Sequence, residues 1–413
     1  MSNVGDIFTA EVESIVEDGR GLVRRDNGQV FFVPGVLEAE TVKCRVETLV
    51  GRGGTASVAK VLKKSPERVL PSCPHSGFLP SQCGGCSWMH INYSAQLSYK
   101  QDFIASALTK FTGGPDVTLR EIVASPQVLA YRNRAQLKTN GEKIGFTSYQ
   151  SKKFAPIDNC CVLSQKNQEI IEKIQKRLPV EKWKPRNKAD LNVLHIDESC
   201  DALDVDIGNH RPFAQGNAVQ NAWMKKWLTA HLKELDPSSS VIELFCGSGN
   251  FTEAIINLNF SQVFAFEGDE ASIDTLQKND VRRDGSLNAE AVDLFGSKTL
   301  DELLQTYPVF AEAETLILDP PRSGFKFLSQ WIQALPKLTT MIYISCKPST
   351  FFRDAQDANN CGFKLKELQP VDQFPHTPHI ELLGIFERVQ RTNNKKLKSL
   401  VHKKPLGRRL RKF

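Results

Sequence analysis

No apolar run in the 413 residues approaches the ~18–20 that a membrane-crossing helix requires, which excludes a helical integral membrane protein. The start, Met1-Ser2-Asn3-Val4-Gly5-Asp6, has no basic segment leading into an apolar stretch. No secretory signal is therefore indicated, and a cytoplasmic chain is expected. Outside an oxidising compartment, the ten cysteines are not expected to form a disulfide framework. Acids are missing from one region: residues 389–413 hold ten Lys or Arg and no Asp or Glu. The net charge of +6 is a property of that tail, and the rest of the chain stands at −4. Such a tail is expected to be solvated and disordered, and it suits a polyanion such as RNA. With 40% apolar and 24% charged residues the chain is not a disordered protein. At ~150 residues per domain, two to three cored domains are expected.

Residues 1–62 read as about five short strands. Phe8, Ala10 and Val12 alternate with Thr9, Glu11 and Glu13, and further β-rich runs lie at Gln29 to Val33, Thr41 to Val46 and Ser57 to Leu62. This spacing suggests a small closed barrel of the OB type, which serves either as an oligonucleotide binder or as a purely structural module. Residues 63–90 are rich in Cys, Pro and Gly, with Cys73, Cys83 and Cys86 close together, a grouping that asks for a metal. Helices are expected over Tyr93 to Phe111 and Ser164 to Arg177, the second among short strands between Glu121 and Ile207. From Ser240 strands and helices alternate, with strands at Val241–Phe245, Val263–Phe266, Thr315–Leu318 and Met341–Ile344. That alternation argues a doubly wound, mostly parallel α/β sheet.

Four strand ends carry chemistry. The first runs into Cys246-Gly247-Ser248-Gly249-Asn250 and a helix, a nucleotide-binding turn or a tight turn without a ligand. Glu267 ends the next strand, where an acid can bind ribose hydroxyls. Thr252 replaces the third glycine of a dinucleotide fingerprint, which weakens NAD and leaves a nucleoside cofactor such as S-adenosylmethionine (SAM). Asp319-Pro320-Pro321-Arg322 and Ser345-Cys346-Lys347-Pro348 end two further strands; the prolines are expected to prevent helix there and hold the polar residues at the sheet edge. Cys346 is there placed to be a nucleophile, with Lys347 favouring its thiolate. A cysteine taken alone is more often a small buried apolar residue.

Phe213-Ala214-Gln215-Gly216-Asn217, the Leu244 to Phe251 turn, Asp319-Pro320-Pro321-Arg322, Ser345-Cys346 and Phe374-Pro375-His376-Thr377-Pro378-His379-Ile380-Glu381 occur in one order along nearly the whole chain. Together they resemble the RNA uracil-C5 methyltransferases, which make 5-methyluridine in ribosomal and transfer RNA with SAM. The resemblance implies a Rossmann-like class I methyltransferase domain at 211–388, a TRAM-like RNA-binding barrel at 1–62, a central α+β domain with an iron–sulfur site at 63–210, and the basic tail beyond. It implies Cys346 as the nucleophile that adds to uracil C6 and Glu381 as the base that takes the C5 proton. Gln215, Phe245, Asn250, Glu267 and Asp293 are implied to line the cofactor site, with Asp319 between cofactor and base. Cys246 matches a structural position. His376 and His379, beside prolines, read as structural or substrate contacts.

The implied cluster ligands are Cys73, Cys83, Cys86 and a distant fourth. The resemblance selects Cys160 over Cys161 for that place. The family's first spacing is Cys-x5-Cys, whereas nine residues separate Cys73 from Cys83, and Ser76 to Pro80 read as part of an inserted loop. All-thiolate ligation suits a 4Fe–4S cluster, favoured by the resemblance, or zinc. The Cys-x3-Cys-x2-Cys of radical SAM enzymes is absent. Lys347 stands where Asn or Asp is commoner. The expected protein is a monomeric RNA-modifying enzyme. Its rivals are an RNA cytosine-C5 methyltransferase, disfavoured by Ser345-Cys346 and Glu381, and an iron–sulfur RNA-binding protein without catalysis, which would be expected to have lost one of Cys346 and Glu381.

Overall fold

The computed structural model describes residues 3–112, 116–187, 190–209, 214–279 and 285–389. Phe213 and the expected basic tail, Val389 apart, lie outside the described residues. Strands β1 (Ile7–Ile15), β2 (Gly21–Arg24), β3 (Val30–Val33), β4 (Thr41–Val50) and β5 (Gly53–Lys63) close a barrel in the order β1-β2-β3-β5-β4. Their period-two pattern sends Phe8, Val12, Val23, Phe31, Val42 and Val46 into one core.

Asn92 caps helix α1 (Tyr93–Lys110), accepting from the Ala95 N–H at 2.8 Å. Strand β6 (Thr118–Leu119) follows. Strands β7 (Arg134–Thr139), β8 (Ile144–Thr147), β9 (Phe154–Pro156) and β10 (Asn192–Asp197) form an antiparallel sheet in the order β10-β7-β8-β9. Helix α2 (Gln165–Arg177) covers it through Ile170, Ile171 and Ile174. Both expected helices fall within a residue of their sequence bounds, because caps and terminal breakers set them locally.

The remaining elements are α3 (Ala218–Leu232), β11 (Ser240–Leu244), α4 (Thr252–Ile256), β12 (Gln262–Glu267), α5 (Glu270–Asn279), β13 (Leu287–Ala291), α6 (Thr299–Thr306), β14 (Thr315–Leu318), α7 (Leu328–Ala334), β15 (Thr340–Ser345), α8 (Pro348–Asn360), β16 (Phe363–Val371) and β17 (Glu381–Arg388). They build an eight-stranded sheet, β13-β12-β11-β14-β15-β17-β16-β6. Its five strands from β13 to β15 are parallel, and β17 runs antiparallel to both β15 and β16. Helices cover both faces, so the central strands are apolar throughout: Ile242, Phe264, Leu316 and Tyr343 pack toward α1, α7 and α8, while Val241, Val263, Ile317 and Ile342 pack toward α3 and α4. No helix among the described residues is long and apolar enough to cross a membrane.

Candidate active site

The sheet topology brings the chemistry to one edge. The strand order reverses between β11 and β14, the switch point where ligands enter open α/β sheets. Asp319 follows β14 and Cys346 follows β15. Because β17 is antiparallel, its first residue, Glu381, lies at the same edge. Ser345 is opposite Leu382, so Cys346 and Glu381 occupy adjacent strand ends. The expectation that proline prevents a helix at both strand ends fails at one of them. Pro348 takes the first turn of α8, where its missing N–H costs nothing.

Burial sets the electrostatics. It lifts the Glu381 carboxyl to about 8, helped by Asp319 and opposed by Arg322. Asp319 is lifted to about 7 by burial and then by Glu267. The Cys346 thiol is pushed up to about 11, by burial first and by Glu381 second, with Arg322 pulling it down. The cation whose charge lowers the Cys346 thiol is thus Arg322, rather than the expected Lys347, which is exposed beside it. Arg322 Nη2 also reaches His379 Nε2 at 3.4 Å, and burial with Arg322 pushes that imidazole down to about 4.

Beside this group the glycine turn forms a crevice. Phe245 has φ +64, rare for a phenylalanine, held by its N–H bond to Phe266 O at 2.8 Å. Gly247 follows at φ +55, and a Cβ there would meet nothing within 4 Å, so the turn opens onto free space. Glu267 aims its carboxylate at the turn, accepting from Gly247 N at 3.0 Å. Asn250 exchanges side-chain bonds of 2.8 and 2.9 Å with Asn221 of α3. Gln215 Oε1 accepts from Gln373 Nε2 at 3.1 Å. Asp293, beyond β13, is exposed and turned onto Phe295 N at 3.0 Å, at the strand end farthest from Cys346.

Residues 188–389 match the sequence model of the tRNA (uracil-5-)-methyltransferase family. An uncharacterised RNA methyltransferase of Nitrosomonas europaea is 34% identical over 394 residues, covering 94% of this chain and 98% of that protein. The chain belongs to the RNA uracil-C5 methyltransferase family. A relative from Shewanella sp., named 23S rRNA (uracil(1939)-C(5))-methyltransferase, is 27% identical, covering 89% of this chain and 93% of its own. The crystal structure of the Pyrococcus abyssi tRNA (uracil-54, C5)-methyltransferase with S-adenosyl-L-homocysteine shares the fold, with a TM-score of 0.65 at 21% identity over 92% of this chain and all of that one.

In this uracil-C5 methyltransferase the segment between β16 and β17 is clamped from outside the sheet. Lys100 Nζ meets Asp372 Oδ1 at 2.6 Å, both side chains fully buried, and the Tyr93 hydroxyl donates to Asp372 Oδ2 at 2.7 Å. Gln96 accepts from His376 N at 2.7 Å and meets its Nδ1 at 3.1 Å, holding His376 at φ +66. Trp88 N donates to His376 O at 2.8 Å and Tyr131 OH to Pro375 O at 3.2 Å. The loop that leads to Glu381 is therefore shaped by α1 and the cysteine-rich segment. None of Lys100, Gln96 and Asp372 stood out in the sequence; the one signal was the break from helical amphipathicity at Gln96 and Lys100. Arg322 stood in its motif without a role.

Cys73, Cys83, Cys86, Cys160 and Cys161 line one small cavity with Met89, Phe146 and Ile157. Both candidates for the fourth position face it. Among the described residues, no set of three or more His, Cys, Asp or Glu is drawn together as metal ligands. The inserted loop has a packing role: Phe78 lies against Gly35 of the barrel and edge-on to Tyr149, ring centroids 5.1 Å apart.

Proposed function

We propose that this chain methylates C5 of a uridine in RNA with SAM, through a covalent adduct between Cys346 and uracil C6. The observation that carries the reading is the convergence of Cys346, Arg322, Glu381 and Asp319 beside an open glycine turn at one sheet edge. Uracil C5 is a poor nucleophile, and a thiolate added at C6 pushes electrons toward C5 and O4 and makes C5 reactive. Arg322 stabilises the Cys346 thiolate before the attack. Glu381, ionised, takes the C5 proton after methylation; the electron pair of that C–H bond re-forms the C5–C6 double bond and expels the Cys346 sulfur. A base outside a stack is required for Cys346 to reach C6, so the target is a loop or flipped uridine.

The crevice fits SAM: the space over Gly247, the Glu267 carboxylate within reach of a ribose, and a buried acid at Asp319 suit a nucleoside carrying a positive sulfonium. Gln215, Phe245, Asn250, Glu267 and Asp319 would hold it, with Asp293 at the far rim. When bound, SAM supplies an electrophilic methyl group. The thiols that line the cysteine cavity are the donor set of a thiolate-ligated group, and Cys73, Cys83, Cys86 and Cys160 would hold a 4Fe–4S cluster whose role is to fix the segment that clamps the catalytic loop. Residues 1–62, 63–210 and 211–388 serve as RNA-binding barrel, cluster domain and catalytic domain of a cytoplasmic monomer. Cys346→Ala should abolish methyl incorporation into RNA and any adduct stable to denaturing gels; near wild-type turnover by this variant would refute the mechanism.

A further inference from the structure

The cleft over Cys346 has a wall that the methyltransferase sheet does not supply. Its volume is about 1120 Å³, and it is lined by Arg20 and Phe32 of the barrel and Tyr149 after β8, as well as by Arg322, Cys346 and Lys347. That exceeds the ~300–1,000 Å³ of a pocket for one small ligand, so it holds more than a single base. In β3 the alternation buries Phe31 in the barrel core and leaves Phe32 on the outer face, toward the cleft. The Arg20 guanidinium lies over the Phe32 ring, 5.0 Å from its centroid. Asp18 fixes that pose, accepting from Arg20 Nε at 2.8 Å and Nη2 at 2.5 Å. Tyr149 sits within electrostatic reach of both Asp18 and Arg20. The turn bearing Asp18 and Arg20 is itself anchored: Trp88 Nε1 donates to Gly19 O at 3.1 Å, and a Cβ on Gly19 would lie 2.5 Å from Trp88 Nε1 and 3.1 Å from Pro378. The barrel surface is thus held in fixed register with the loop leading to Glu381.

We propose that Phe32, with Arg20 laid over it and Tyr149 lining the same cleft, is a stacking platform for an unpaired RNA base neighbouring the uridine at Cys346. The inference rests on the proposed function and adds the feature by which the barrel grips the substrate. Taking the target uridine out of its stack deprives the adjacent base of a partner, and an aromatic face with a guanidinium plane replaces it. Because Asp18 neutralises Arg20, the platform contributes stacking rather than net charge.

The test measures binding of a fluorescent twelve-nucleotide oligouridylate to the full chain and its variants at two salt concentrations. Phe32→Leu should weaken binding roughly 5- to 150-fold, the range for loss of one base–aromatic stack, with an unchanged salt dependence. Phe32→Tyr should stay within about threefold of wild type, since the face is kept. Equal losses in both variants, an unchanged affinity in Phe32→Leu, or a loss that follows the salt slope would each overturn the platform. Binding is read without methyl transfer, so failure of the wild-type chain to methylate RNA would count against the proposed function and leave this measurement standing.

Discussion

Replacing Glu381 with Gln separates attack at C6 from release of the product. With Cys346 lifted to about 11, roughly one thiol in three thousand is ionised at pH 7.5. Burial is the largest cause of that lift and the Glu381 carboxylate the second, so the neutral amide moves Cys346 downward, and each unit gained gives about tenfold more thiolate. Attack in Glu381→Gln should be as fast as in the wild type or faster. The amide cannot take the C5 proton, and loss of a general base costs about 10²- to 10⁴-fold. Turnover should fall by that factor while methylated RNA accumulates on the chain. RNA carrying tritium at uridine C5, with SAM carrying a labelled methyl, reads both steps: about one methyl per chain should enter a band stable to denaturation, with almost no tritium released. The same groups set the sign of the pH dependence. Glu381 must lose its proton, with a pKa of about 8, and Cys346 must lose one at about 11, so wild-type kcat/KM should climb from pH 7 upward. Tritium release within tenfold of wild type, or no adduct from a folded variant, would refute the assignment.

Glu243, on β11, is lifted to about 8 by burial, and with Glu381 and Asp319 it makes three carboxyls that keep protons in the folded chain where the unfolded chain has lost them. Their protonated forms favour folding, so ligand-free stability should fall as pH rises from about 5 to about 8, most steeply below about 7, by up to about 1.4 kcal/mol per carboxyl per pH unit, and Glu243→Gln should flatten that fall in thermal melts. Lys100→Met leaves Asp372 charged and buried without its partner, a change that should cost about 3–5 kcal/mol in denaturant unfolding, whereas Lys100→Met with Asp372→Asn should recover part of it. Anaerobically purified protein should absorb broadly in the visible with about four irons per chain, and Cys83→Ser should lose both; a colourless protein with one zinc would decide for the alternative.

Local chemistry was legible in the sequence where neighbours along the chain settle it. Alternation fixed which barrel residues turn inward, since a strand's two faces are set by period two; Asn92 and Ser164 set helix starts, since a cap needs only its own first turn. The glycine turn, Asp319 and Cys346 were legible because each sits at the end of an apolar run whose direction is fixed. Glu381 was recognisable by its motif context alone. Among apolar neighbours it reads as a surface acid, and only the antiparallel reversal of β17 brings it beside Cys346. Adjacency in sequence pointed to Lys347 as the cation favouring the thiolate, whereas the sheet edge brings the charge of Arg322 to bear on Cys346. The meeting of five cysteines from two distant segments, the Lys100–Asp372 pair, and the barrel wall over Cys346 depend on contacts between elements far apart in the chain. Their positions depend on how the faces pack, and packing of separate faces is decided by the tertiary structure alone.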